Sequence, residues 1–222
     1  GGQASAAGET SSPDFPTTPG AFDTTFGDND AFLTKLDTQG AALTYSTFLG
    51  GDSSADSIWA ITLGADGTVH ATGETHSSDF PTTPGAYDRT HNGQGDAFVS
   101  ALNATGTDLI YSTYLGAGQN DIGYGIVLGP GDTAYVTGVA QSDEFPTTPG
   151  AYDETFNGGN NDLFVTRLDA QGGSLVFSTY VGGNDSDDGE AIALDPAGNV
   201  YVVGDTNSPN YPTTPGAYAR TI

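Results

Sequence analysis

The 222-residue chain has no cysteine, no methionine, one lysine (Lys35) and one tryptophan (Trp59). Without cysteine there can be no disulfide framework, thiol nucleophile or Cys-ligated metal site. Basic residues number 4 against 28 acidic ones, a formal charge of −24. Binding a phosphate backbone requires a basic surface, so nucleic-acid partners are excluded. An anionic bilayer would repel the same surface. No run approaches the roughly 18 apolar residues of a spanning helix, so membrane insertion is not expected. No signal peptide is visible, and a chain opening Gly1-Gly2-Gln3 reads as processed, trimmed or partial.

What is abundant is glycine, at 33 residues, and aspartate, which supplies 23 of the 28 acids. Aspartate serves turns because its side chain bonds the backbone two residues on. It also keeps a lysine-poor surface hydrated in high salt, and it suits hard cations such as Ca²⁺. Turns alone do not account for the missing lysines.

Self-similarity settles the architecture. FPTTPGA begins at Phe15, Phe80 and Phe145 and recurs as YPTTPGA at Tyr211, spacings of 65, 65 and 66 residues. The segments between repeat as well. AFLTKLD (31–37), AFVSALN (97–103) and LFVTRLD (163–169) correspond, as do LTYSTFLGG (43–51), LIYSTYLGA (109–117) and LVFSTYVGG (175–183). So do the runs at 57–64, 122–129 and 189–195, and those at 68–75, 133–140 and 199–206. Each unit holds four short runs rich in β-branched and aromatic residues, several alternating apolar with polar, separated by Gly-, Asp- and Pro-containing turns. Four short strands per repeat predict an all-β protein, a β-propeller of four-stranded antiparallel blades.

FPTTPGAY, DAFV, YSTYLG and the AYVTG-like strands together resemble the SBBP repeat, a family named for its β-propeller, and the likeness runs along nearly the whole chain. The resemblance implies a secreted or cell-surface prokaryotic protein whose repeats serve as scaffold or interaction module, and it supplies no catalytic residue. The frame is also similar to NHL-type propellers. On that likeness the innermost strands are 57–63, 122–128 and 189–194, and the second strands 68–74, 133–139 and 199–204. The third are 31–36, 97–102 and 163–168, and the outermost 43–49, 109–115 and 175–181. Trp59, equivalent to Tyr124 and Glu190, is then expected to be buried near the axis. FPTTPGAY becomes a stiff loop between second and third strands, anchored by aromatics such as Phe80 and Tyr87.

On this frame the chain begins at the end of a second strand, and it divides into an N-terminal half-blade with a leading loop (1–56), blades at 57–121 and 122–188, and a C-terminal half-blade (189–222). Two blades and two halves cannot close a ring, and half-blades leave adhesive edges. The expected partners are therefore other copies of the chain or the rest of a longer one.

The interblade loops 50–57, 116–123 and 182–190 are the most acidic places. Asp56, Asp121 and Asp187 are equivalent there, and the third loop adds Asn184, Asp185, Asp188 and Glu190. Clustered Asp and Asn oxygens around glycine make these the candidate Ca²⁺ ligands, against the alternative of solvated turns. A second recurring acid, Asp30, Asp96 and Asp162, precedes each third strand and reads as a backbone cap or as a metal ligand. His70, His76 and His91 are not equivalent. His70 aligns with Tyr135 and Tyr201, so it is expected to pack as a strand residue. Asn103 and Asn184 head glycosylation sequons. No nucleophile elbow or Ser-His-Asp set is evident. The leading expectation is a non-enzymatic extracellular structural or adhesion protein, the scaffold of a surface layer, fibre or filament assembled through blade edges. A carbohydrate- or protein-binding propeller is the alternative, and a propeller-fold hydrolase the third reading.

Overall fold

The computed structural model describes residues 2–52 and 55–219. Their regular structure is almost entirely strand. β1 (Ser5–Thr10), β2 (Asp30–Leu36) and β3 (Leu43–Leu49) make a three-stranded sheet. β4 (Asp56–Leu63), β5 (Val69–Thr75), β6 (Asp96–Leu102) and β7 (Leu109–Leu115) form a complete four-stranded sheet. β8 (Asp121–Leu128), β9 (Ala134–Ala140), β10 (Asp162–Leu168) and β11 (Leu175–Val181) form a second. β12 (Asp187–Leu194) and β13 (Val200–Thr206) pair alone. Every ladder is antiparallel between consecutive strands, as in propeller blades, and the sheets do not close into a ring. β4 packs against β8 and β8 against β12, which makes the first strand of each unit the innermost.

Two features differ from the sequence expectation. The leading segment, of which the frame takes only the end of a second strand, holds a full strand, β1, which pairs with β2 from Ser5↔Lys35 to Thr10↔Asp30. Gly8-Glu9-Thr10 restates the end of β5, Gly73-Glu74-Thr75, while Ser5, Ala6 and Ala7 carry no bulky residue. Trp59 is 54% exposed rather than buried. The ladder with β5 slips between Ile58 and Ala60, which makes Trp59 the extra residue of a β-bulge and turns it outward. Tyr124 and Glu190 occupy the same bulge in β8 and β12, and the Trp59 and Tyr124 rings meet edge-on at 5.7 Å.

The sheets stack face to face, and the alternation of each strand supplies both faces. Ala31, Leu33, Tyr45 and Leu49 of the first sheet pack on Ile58, Val69 and Ala71 of the second. Ala97, Val99, Ala101, Tyr111 and Leu115 pack in the same way on Ile126, Ala134 and Val136 of the third. β6 therefore buries all seven of its residues. Within each unit the first aromatic of the FPTTPGA loop, one aromatic of the third strand and one of the fourth form a cluster. Phe15–Phe32–Phe48, Phe80–Phe98–Tyr114 and Phe145–Phe164–Tyr180 repeat it, with nearest centroids at 4.5, 4.6 and 4.5 Å.

The FPTTPGA loop runs along the outer edge of the fourth strand. Thr83 N–H donates to the Ser112 carbonyl at 3.0 Å and Ser112 N–H donates back to Thr83 Oγ1 at 3.0 Å. Tyr114 N–H then reaches the Asp88 carbonyl at 3.1 Å. Thr18 and Thr148 repeat the pairing on Ser46 and Ser178. An edge strand that would otherwise offer a free row of amides is thereby covered. Phe80 is buried as expected, whereas Tyr87 is 37% exposed, and its N–H donates to the Gly172 carbonyl of the next blade.

Candidate functional site

The sequence separates two sets of recurring aspartates, and the fold joins them. Where one blade's third strand begins, the next blade's first strand begins beside it. Asp56 N–H donates to the Asn29 carbonyl, Asp121 N–H to that of Gly95 and Asp187 N–H to that of Asn161, each at 2.9 Å. A single parallel bridge results at the first two joints, Asn29↔Ala55 and Gly95↔Asn120. Asp30 is thereby set against Asp56, Asp96 against Asp121, and Asp162 against Asp187.

All six side chains are buried, none more than 2% exposed. One oxygen of each third-strand aspartate caps its own loop, as the sequence suggests. Asp30, Asp96 and Asp162 Oδ2 accept the N–H of Gly27, Asn92 and Asn157 at 2.8, 2.8 and 2.6 Å. Their partners do the same for the interblade loop. The Oδ2 atoms of Asp56, Asp121 and Asp187 accept from Gly51, Ala117 and Gly183 N–H at 2.8, 2.7 and 2.6 Å. Asp56 also accepts from the Thr75 and Ser77 hydroxyls, Asp121 from Gln141 N–H and Asp187 from the Ser208 hydroxyl.

What remains is a row of orphans. Oδ1 of Asp30, Asp96, Asp162 and Asp187 is buried with no hydrogen-bond donor. Each pair faces a gap over the first glycine of the LGG/LGA/VGG motif. A β-carbon on Gly50 would lie 2.7 Å from both Asp30 Oδ1 and Asp56 Oδ2. On Gly116 it would lie 2.6 Å from Asp96 Oδ1 and 2.9 Å from Asp121 Oδ2, and on Gly182 2.7 Å from Asp162 Oδ1 and 2.9 Å from Asp187 Oδ2. These glycines keep space open between two carboxylates.

Loss of solvation dominates the electrostatics. It pushes Asp56 up to about 6, Asp121 up to about 7 and Asp162 up to about 6, against the pull of the hydrogen bonds they accept. It raises Asp30 and Asp96 as well. The charge of the facing aspartate adds to each rise at Asp56, Asp121 and Asp162. Burying a carboxylate without a counter-charge is unfavourable, and here two are buried together three times.

The other candidate ligands do not converge on these pairs. Asp188 and Glu190 turn away from Asp187 and gather with Asp205 at the exposed end of the last sheet, their carboxylate oxygens within 4.8 Å of one another. Asn184 and Asp185 stay on the loop surface, where Asn184 N–H donates to Asn210 Oδ1 and Asp185 Oδ1 accepts Ser186 N–H. Asn103 spends its amide inside a turn, donating to Thr107 Oγ1 and Asp108 Oδ2. His70 is buried, with Nδ1 3.2 Å from the Tyr111 hydroxyl, in line with a packing role.

Residues 176–212 match the family described as SBBP, beta-propeller repeat. No curated protein matches the chain. The matched SBBP segment begins in the fourth strand, contains Gly182 and Asp187, and ends in the loop after β13. Residues 44–81 and 110–146 restate the SBBP motifs, each with its own glycine and aspartate at the same place.

Proposed function

We propose that the chain is a non-enzymatic structural repeat scaffold of the cell surface or extracellular space, assembled through its open blade edges. The observation that carries this reading is the groove beside β13. It has a volume of about 550 Å³ and is lined by Leu163, Val165, Phe177 and Val181 on one side and by Val200 and Val202 on the other. In the complete blades the equivalent space is filled by third- and fourth-strand side chains, which leaves Ala97, Val99 and Leu115 wholly buried. Across the groove Phe177 and Val181 remain part-exposed, Tyr201 is 56% and Val203 64% exposed, and among the described residues no strand lies on the outer side of β13. The occupant that fits is the third and fourth strands of a further repeat.

Three observations support a scaffold over an enzyme or a ligand-binding propeller. The recurring carboxylates are sealed under backbone, where no substrate reaches them. The groove is mainly apolar, with Asp188 and Asp205 also in its lining, and has the form of a missing blade half. The charge of −24 suits a hydrated external surface, and among the described residues no helix is long and apolar enough to cross a membrane. Light scattering and negative-stain imaging of the 222-residue chain test the reading. Concentration-dependent ordered assemblies are expected, and a monodisperse monomer at high concentration would reject assembly through the edge.

A further inference from the structure

We propose that each blade joint is a Ca²⁺ site, formed by Asp30 with Asp56, Asp96 with Asp121, and Asp162 with Asp187. The inference is independent of how the chain assembles.

Three observations carry it. The donor set is carboxylate oxygen, hard and anionic, and two carboxylates match the charge of one divalent ion. One oxygen of each third-strand aspartate is buried without a donor, and at the third joint Asp187 Oδ1 is too. A buried anionic oxygen is costly to leave unpaired, so the same defect at three joints marks a function and not an accident of packing. The glycine between the carboxylates is the third observation. Gly50, Gly116 and Gly182 have no positive φ that would demand glycine, yet any side chain there would fill the gap. The residue is fixed by the space it leaves.

Little compensating charge is at hand. The chain has four Lys and Arg residues, and the base that faces Asp96 is His91. The ion requires six to eight oxygens. Two aspartates supply a minority, and the Gly51 carbonyl offers another at the first joint. That oxygen and Asp30 Oδ1 both lie within 3.0 Å of where a Gly27 β-carbon would sit. Water completes the shell. So few protein ligands place the affinity in the range of extracellular modules, about 10⁻⁴–10⁻³ M. One ion bridges the start of one blade's third strand and the next blade's first, and so sets their spacing.

The 222-residue chain, freed of metal by chelation, is titrated with CaCl₂ by calorimetry and by melting, against NaCl at matched ionic strength. Up to three ions per chain and a Tm rise of about 5 °C or more are expected in 10 mM CaCl₂ beyond the NaCl control. Asp96→Asn should lose one ion and part of the rise. A triple substitution in the exposed cluster, Asp188→Asn, Glu190→Gln and Asp205→Asn, should leave both nearly intact. If Asp96→Asn does not fold, Tb³⁺ on the unaltered chain decides. Tyr114 and Tyr180 lie beside the pairs and should sensitise its emission, with Ca²⁺ displacing it. No binding beyond the NaCl control, no sensitised emission, or binding lost only with the exposed cluster would each overturn the proposal. If the gap holds a shared proton instead, Asp96→Asn should melt higher than the parent without Ca²⁺, which would also overturn it.

Discussion

A β-carbon on Gly138 would overlap the carbonyl oxygen of Ile122 across the β8–β9 ladder. Gly73 stands in the same relation to Ser57 and Gly204 to Asp188. The contact exists because the bulge at Tyr124 pushes the first strand's backbone toward the second. The glycine of each TG or VG motif is thus a consequence of the bulge that turns Trp59, Tyr124 and Glu190 outward. Gly138→Ala must separate two paired strands in the core and should destabilise the chain by about 3–5 kcal/mol. Gly204→Ala, in the open two-stranded sheet, should do less. Chemical denaturation followed by circular dichroism measures both, and a loss below about 1 kcal/mol for Gly138→Ala would show that the bulge relaxes freely.

The raised aspartates give a pH dependence of unusual sign. Their folded values lie near 6 to 7 at Asp56, Asp121 and Asp162, above the ordinary carboxylate value near 3.8. Between about pH 4 and 7 the folded state holds protons that the unfolded state has released, so stability falls as pH rises. A tenfold difference in proton affinity between the two states corresponds to roughly 1.4 kcal/mol. The groups facing these carboxylates are almost all acidic. Asp23, Asp28 and Asp52 face Asp30, Asp88 and His91 face Asp96, and Asp153 faces Asp162. In chelator the chain should melt higher at pH 5 than at pH 8. Saturating Ca²⁺ should flatten or reverse the slope, because the cation competes with the proton for the same oxygens. A melting temperature that rises steadily from pH 5 to 8 in chelator would contradict the burial of these groups.

Thr83 is one of the points that tie the covering loop to the fourth strand, so the loop can be loosened there selectively. Thr83→Val removes the hydroxyl that accepts Ser112 N–H, and should cost about 1 kcal/mol. Its wider effect is exposure of the β7 edge. Hydrogen exchange at residues 110–115 should accelerate, and the variant should aggregate sooner than the parent on warming. Unchanged protection there would mean that the prolines hold the loop without the threonine.

Trp59 reports on the first-strand bulge directly. At 54% exposed it should emit at long wavelength and be readily quenched by acrylamide. Its edge contact with Tyr124 is a surface contact, so Trp59→Ala should lower stability by less than about 1.5 kcal/mol, against roughly 3–5 for a buried tryptophan. Blue-shifted, unquenchable emission from a monomer would place Trp59 in a closed core.

Much of this was legible in the residues because the repeat is a repeat. Four copies of PTTPGA fixed the period, and the strand starts agree to within a residue once the aspartate that opens β4, β8 and β12 is counted in. Three things were not legible. The full extent of the strand in SAAGET was hidden because Ser5, Ala6 and Ala7 bury little area, although its Gly-Glu-Thr ending repeats that of β5. The bulge at Trp59 was hidden because period-2 alternation cannot show an extra residue. The pairing of Asp96 with Asp121 was hidden for a deeper reason: both recur, but sequence places them 25 residues apart, on strands that lie in neighbouring sheets. The recurring glycine at 50, 116 and 182 was the available signal. It has no turn to serve, and a glycine without a turn points to something beside it.

The open edge of β13 yields the last prediction. Val203 is 64% exposed, while its counterparts Thr72 and Thr137 are wholly buried, each hydroxyl donating to a third-strand carbonyl, Phe98 or Phe164, at 2.8 Å. Position 203 is thus solvent-facing in the isolated chain and interior once a third strand lies beside it. Val203→Lys places a charge that water can solvate in the first state and that the second must bury. In the isolated chain it should change stability by no more than about 0.5 kcal/mol. Assembly should fail, because an unpaired buried ammonium is unfavourable and the lysine stem would occupy the groove. Val203→Thr restores the residue type of the complete blades and should assemble as well as the parent or better. Sedimentation of the three chains at matched concentration separates the outcomes. Assembly of Val203→Lys at the parent's concentration would show that β13 is not the joining edge.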